Sequence, residues 1–263
     1  GLDAFEYQCG RGVRISQESA GQLGRLAREE GVALSLHAPY YISLSSTEPE
    51  KREKSIDYMM QSARAAAAMG ADRVVVHTGS CAKISREEGL ALAMDTMRRA
   101  LRAQEEQGLA QIRFCPEVMG KINQLGTLEE VLALCRLEER LIPCVDFGHL
   151  NARTLGALKT PEDFKAAFDA IENALGIDRL RELHIHFSKI AYTAGGEKEH
   201  LTFADREYGP DFEPLMELLA RKGCHGRVIC ESAGTQTEDA LAMRQEYYRC
   251  LAETAQQEME ETR

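Results

Sequence analysis

The feature that most constrains this chain is a regular alternation. Short, apolar, often β-branched runs stand at 2–7, 33–37, 73–77, 112–117, 141–146, 183–187 and 227–231. Longer segments with helical signals lie between them. Ser16 precedes one that stops at Gly31, and Pro49 opens another that carries the Ala-rich run 63–68 before Gly70. Ser85 with Glu88 and Thr127 with Glu130 match the capping box, in which a hydroxyl and a carboxylate satisfy each other's backbone donors. Thr160 stands before Pro161, a favoured first helical residue. Helical segments over 210–222 and 238–258 complete the set. Near-continuous apolar strands alternating with helices imply parallel pairing with helices packed outside. The spacing therefore predicts an α/β fold, a single TIM-type (β/α) barrel over 1–263. No Gly-rich phosphate loop follows the first run, which excludes a dinucleotide-binding fingerprint. Seven runs are counted where a closed barrel needs eight, and the sequence opens on a strand. Either a first strand and helix lie upstream, or the barrel keeps an open edge.

Composition narrows the function. The chain has 263 residues, 44% hydrophobic and 28% charged, an ordinary globular balance. A formal charge of −10 excludes binding of polyanions by bulk charge, but not a local basic groove or a metal site that offsets it. No apolar run approaches the ~20 residues that span a bilayer. The first residues lack a basic and then apolar signal pattern. Eight cysteines contain no CxxC pair, and Cys115, Cys144 and Cys230 sit inside strand-like runs. A reducing, cytoplasmic compartment and a monomer are expected.

Each run after the first ends in a metal-capable residue: His37, His77, Glu117, Asp146 with His149, His184 and His186, and Glu231. In a parallel barrel such ends share one rim. Gathering imidazoles and carboxylates there without a cation would bury unpaired charge, at a cost of several kcal/mol per group. A divalent ion binds neutral imidazole and ionised carboxylate directly, and this mixed set suits Zn²⁺ or Mn²⁺.

The pieces LHAPY at 36–40, VVVHTGS at 74–80, PEVMGKINQLG at 116–126, VDFGHLNAR at 145–153, LHIHFSK at 183–189 and ICES at 229–232 together resemble the endonuclease IV family of apurinic/apyrimidinic endonucleases. The second-strand-to-last-strand order is kept, and the archaeal-type branch is the most similar. The resemblance implies three zinc ions in a TIM-barrel mouth. It assigns His37 and His77 to one ion, with Glu117 as a bridge and the catalytic carboxylate. It assigns Asp146, His184 and Glu231 to a second ion, and His149 and His200 to a third. His186 matches a non-ligand position and is expected to be a supporting or core histidine. One departure stands out. The family carries an Asp two residues before the histidine matching His200, and here Lys198 holds that place. An ammonium cannot ligate a cation. Either Glu197 or Glu199 supplies the carboxylate, or the third ion binds weakly, or Lys198 replaces it as a catalytic electrophile. The Gly-rich stretch that follows in the family reads Phe203-Ala204-Asp205-Arg206 here.

Tyr40 and Tyr41 follow the HAP motif, and Tyr40 is a candidate substrate-binding ring. Arg11, Arg14, Lys121, Arg153, Lys159 and Lys189 fall near strand-end loops, where basic residues can hold phosphates; taken singly, each reads as ordinary solvated charge. The acidic stretch 258–261 reads as a solvated helix end. The resemblance implies hydrolysis of a DNA phosphodiester 5′ to an abasic site, with the lesion turned out of the duplex. The alternative is a metal-dependent sugar isomerase or epimerase on the same barrel. There two carboxylates and one histidine hold a single ion, and Glu117 and Glu231 move the proton. A non-catalytic barrel that keeps its metals is the third reading.

Overall fold

Ser16, Ser85 and Thr127 each accept a backbone hydrogen bond from the residue three positions on, and each starts a helix. Thr127 and Glu130 complete a reciprocal capping box, and at the next N-terminus the Asp163 carboxylate accepts from the Thr160 amide and hydroxyl. The local code of the sequence is thus obeyed in the computed structural model, which describes residues 1–261. The chain divides into two compact units, Asp3–Cys144 and the residues from Val145 on.

The first unit alternates β1 (Ala4–Gln8), α1 (Gln17–Glu29), β2 (Ala33–His37), α2 (Pro49–Met69), β3 (Arg73–Val76), α3 (Arg86–Glu106), β4 (Arg113–Pro116) and α4 (Leu128–Cys135). Its four strands form one sheet in chain order, every pair parallel. Helical crossovers between neighbouring strands explain that order. Val75, Cys115 and Ile142 are part of its core. Burial pushes the Cys115 thiol up to about 12, so it behaves as a small hydrophobe.

The second unit, which begins at the second residue of β5 (Cys144–Asp146), goes on through α5 (Phe147–Arg153), α6 (Pro161–Leu175), α7 (Ile177–Arg181), β6 (His184–Phe187), β7 (Ile190–Thr193), β8 (Gly196–His200), α8 (Glu213–Arg221), β9 (Arg227–Cys230) and α9 (Gln236–Glu261). Strands β5, β6 and β9 form a sheet, with β6 and β9 parallel. Phe147 stacks on Phe164 at 5.5 Å, and Phe168 packs beside it.

The seven runs read from the sequence thus become β1–β6 and β9. The antiparallel hairpin β7–β8 was not among them, and neither was the seven-residue helix α5. Among the described residues no helix is long and apolar enough to cross a membrane. The solvation expected of residues 258–261 concerns side chains outside the described residues.

Candidate metal centres

In the first unit, His37 is the last residue of β2 and His77 directly follows β3, so parallel register brings both to the C-terminal ends of neighbouring strands. Glu117 follows β4 in the same way. His37 Nε2 lies 3.3 Å and His77 Nε2 3.2 Å from one oxygen, Glu117 Oε2. The His37 ring is oriented by the Ala38 carbonyl, 2.8 Å from Nδ1. With Nδ1–H donating there, a neutral ring presents a bare Nε2 lone pair to a carboxylate oxygen. Two lone pairs at that distance repel, and a cation between them, or a second proton, turns repulsion into attraction. The donor chemistry therefore fits a divalent ion.

The loop carrying Glu117 is held by a half-buried ion pair. Arg86 donates to both Glu130 oxygens at 2.7 Å and to the carbonyls of Ile122 and Gln124 at 3.1 Å. Glu130 also accepts from the Gly126 and Thr127 amides. Burial pushes the Glu130 carboxyl up, but these donors outweigh it and hold it below its ordinary range. Tyr40 caps the histidine pair. Its ring stacks on His77 at 5.5 Å and 23° and meets His37 edge-on, while remaining 55% exposed. Tyr41 instead packs against Tyr58.

In the second unit, Asp146 ends β5 and caps α5, accepting the His149 amide at 2.8 Å. The cap fixes His149 in the first helical turn, where its Nδ1 lies 3.0 Å from Asp146 Oδ2. The D-x-x-H spacing of the sequence is therefore an N-cap geometry. Asp146, His186 and Glu231 each offer a ligand atom, all within 4.8 Å of one another. His186 Nδ1 is 3.6 Å from Glu231 Oε2.

The grouping differs from the one expected for His184. His184 and His186 share a face of β6, with rings 5.2 Å apart. His184 lies two residues, about 7 Å of strand, farther from the C-terminal end, opposite Arg227 rather than near Glu231. Among the described residues, the histidine grouped with Asp146 and Glu231 is His186 rather than His184. The sequence signal for this was the position of each histidine relative to the strand end.

A third group is His149, Glu197 and His200. Glu197 Oε2 is 3.5 Å from His149 Nε2, and Oε1 is 4.0 Å from His200 Nε2. Ser188 Oγ holds His200 Nδ1 at 2.8 Å. Lys198 is not brought to this group. Its side chain is 61% exposed and pairs with Glu199 at 3.0 Å, so the expected electrophile is turned to solvent. Lys189 is buried, with Nζ donating to the Asp205 carbonyl and to Asp211, each at 2.9 Å; it ties down the loop after β8 rather than offering a solvated charge.

The chain matches the family model described as the xylose isomerase-like TIM barrel over residues 1–250. An uncharacterized protein of Methanocaldococcus jannaschii is 32% identical over 92% of this chain and 86% of its own length. A probable endonuclease 4 of Natronomonas pharaonis is 30% identical over 74% of this chain and 69% of its own. The chain spans as little as 51% of other relatives carrying that name, as in Staphylococcus carnosus. Among solved structures, a D-tagatose 3-epimerase-like protein superposes with a TM-score of 0.68 at 20% identity, covering 98% of this chain and 91% of its own. Endonuclease IV of Thermus thermophilus superposes with a TM-score of 0.66 at 22% identity, covering 96% and 90%.

Proposed function

Because the chain belongs to the xylose isomerase-like TIM barrel family, we propose that it is a metal-dependent phosphodiester hydrolase that cuts DNA on the 5′ side of an abasic position. The observation that carries this reading is the convergence of His37 and His77 on one oxygen of Glu117. A one-metal isomerase uses two carboxylates and one histidine and has no need for this additional set. The endonuclease 4 name of relatives near 30% identity supports it.

In this reading His37, His77 and Glu117 hold one ion, and Asp146, His186 and Glu231 hold another. A bound divalent ion supplies Lewis acidity and lowers the pKa of water to about 7. The chain's own contribution is orientation. The Ala38 carbonyl fixes the His37 ring, and the Arg86–Glu130 clamp fixes the loop that presents Glu117. The half-exposed Tyr40 ring offers a flat apolar surface beside the two histidines for a base or sugar.

Glu117→Ala tests the reading. Metal content by elemental analysis should fall, and cleavage of an oligonucleotide with one abasic position should drop by about a hundredfold or more. An unchanged cleavage rate rejects the role of Glu117.

A second reading, a sugar isomerase or epimerase, is favoured by the Asp146–His186–Glu231 group, because two carboxylates and one histidine are the donor set of such a one-metal enzyme. About one ion per chain supports it; two or more support the hydrolase.

A further inference from the structure

The hairpin β7–β8 carries an irregularity whose chemical effect falls on one side chain. Its register pairs Ile190 with His200, Ala191 with Glu199, Tyr192 with Glu197 and Thr193 with Gly196. Lys198 is skipped, so it is the extra residue of a β-bulge. In a regular strand, side chains alternate, and His200 would share its face with Lys198 while Glu197 pointed away. The bulge inserts one residue and inverts that phase. Glu197, three positions before His200, therefore comes round to the histidine's face, and Lys198 is turned out to Glu199.

We propose that Glu197, re-aimed by the bulge at Lys198, is the carboxylate ligand of a divalent cation held together with His149 and His200. The proposal rests on the metal-centre reading given above and names the ligand that the sequence pattern left open. Three observations carry it. Both imidazoles turn Nε2 toward the two oxygens of one carboxylate. The His200 ring is set by Ser188 Oγ on Nδ1, as ligand histidines are held in metalloproteins, and His149 Nδ1 lies 3.0 Å from the Asp146 carboxylate, which also fixes the His149 backbone through its amide. Finally, the nitrogen–oxygen separations are 3.5 and 4.0 Å, long for hydrogen bonds. Two bonds of about 2.05 Å at a tetrahedral angle place their donor atoms about 3.3 Å apart, so the spacing suits an ion more nearly than a shared proton. Two imidazoles and one carboxylate suit Zn²⁺ and leave a fourth position for water or substrate.

The test counts metal without using DNA. Full-length wild-type protein and the variants E197Q, E199Q and K198A are purified with zinc supplied, and zinc per chain is measured by elemental analysis. Thermal melts of each variant check folding. E197Q should lose one equivalent of zinc while melting as a folded protein; E199Q and K198A should keep the wild-type count. A fourth variant lacks Lys198 altogether. Removing the extra residue restores regular alternation and places Glu197 two positions before His200, on its face, so zinc should again be retained. Full zinc content in E197Q, or loss of one equivalent in E199Q instead, overturns the proposal. A chain that shows the E197Q-dependent equivalent but leaves abasic DNA intact overturns the nuclease reading and keeps this site. A chain that cuts abasic DNA with undiminished zinc in E197Q does the reverse.

Discussion

Glu130 shows how much a single side chain can organise here. It closes the capping box of α4, accepts from the Gly126 amide and takes a two-pronged contact from Arg86, which also grips the loop carbonyls. Because its folded carboxyl is held below the ordinary value of 4.5, its contribution is present at neutral pH and is lost as pH falls through the lowered value. E130Q should therefore be less stable at pH 7 by about 2 kcal/mol, and its stability should change less than the wild type's below pH 5. Denaturant unfolding at pH 7 and pH 4 reads both, and parallel curves would remove Glu130 from this role. The capping role was legible from Thr127 and Glu130 alone. Which β6 histidine faces Asp146 and Glu231 was not, because LHIHF places two histidines on one face of the strand. Only the distance of each from the strand end separates His186 from His184, and that distance depends on where pairing with β9 stops.

At the scale of elements, the parallel strands were read closely because each is a short apolar run bounded by helix signals. The strand 33–37 is the same in sequence and structure. The β7–β8 hairpin escaped that reading because GEKEH has no apolar alternation, and a bulge leaves no trace in residue types. Helix α5 escaped because it is only seven residues long and begins on the candidate ligands Asp146 and His149. That helix depends on Gly148. A Cβ there would stand 2.5 Å from the Ser188 carbonyl oxygen and about 3.0 Å from the Ile190 side chain. Gly148→Ala should push α5 away from residues 188–190, lowering the Tm by about 5 °C. Ser188 orients His200, so zinc affinity at His149 and His200 should weaken as well. Calorimetry and zinc titration check both, and a variant unchanged in each would show that the backbone yields at no cost.

At the scale of the whole molecule, a net charge of −10 means that bulk electrostatics oppose a nucleic acid. If the proposed DNA substrate is right, attraction has to come from local features, and cations held at the candidate centres would be the strongest. The sequence made the family and the donor types legible, since His, Asp and Glu recur at run after run. It left the substrate open, because the same barrel family includes enzymes acting on sugars and the donor set of Asp146, His186 and Glu231 serves either chemistry. The most direct test is cleavage of a duplex carrying a single abasic position by the zinc-loaded protein, with and without a chelator. The duplex should be cut on the 5′ side of the lesion, cutting should stop on chelation, and added zinc should restore it. An intact duplex in the presence of protein holding two or more ions per chain would contradict the nuclease.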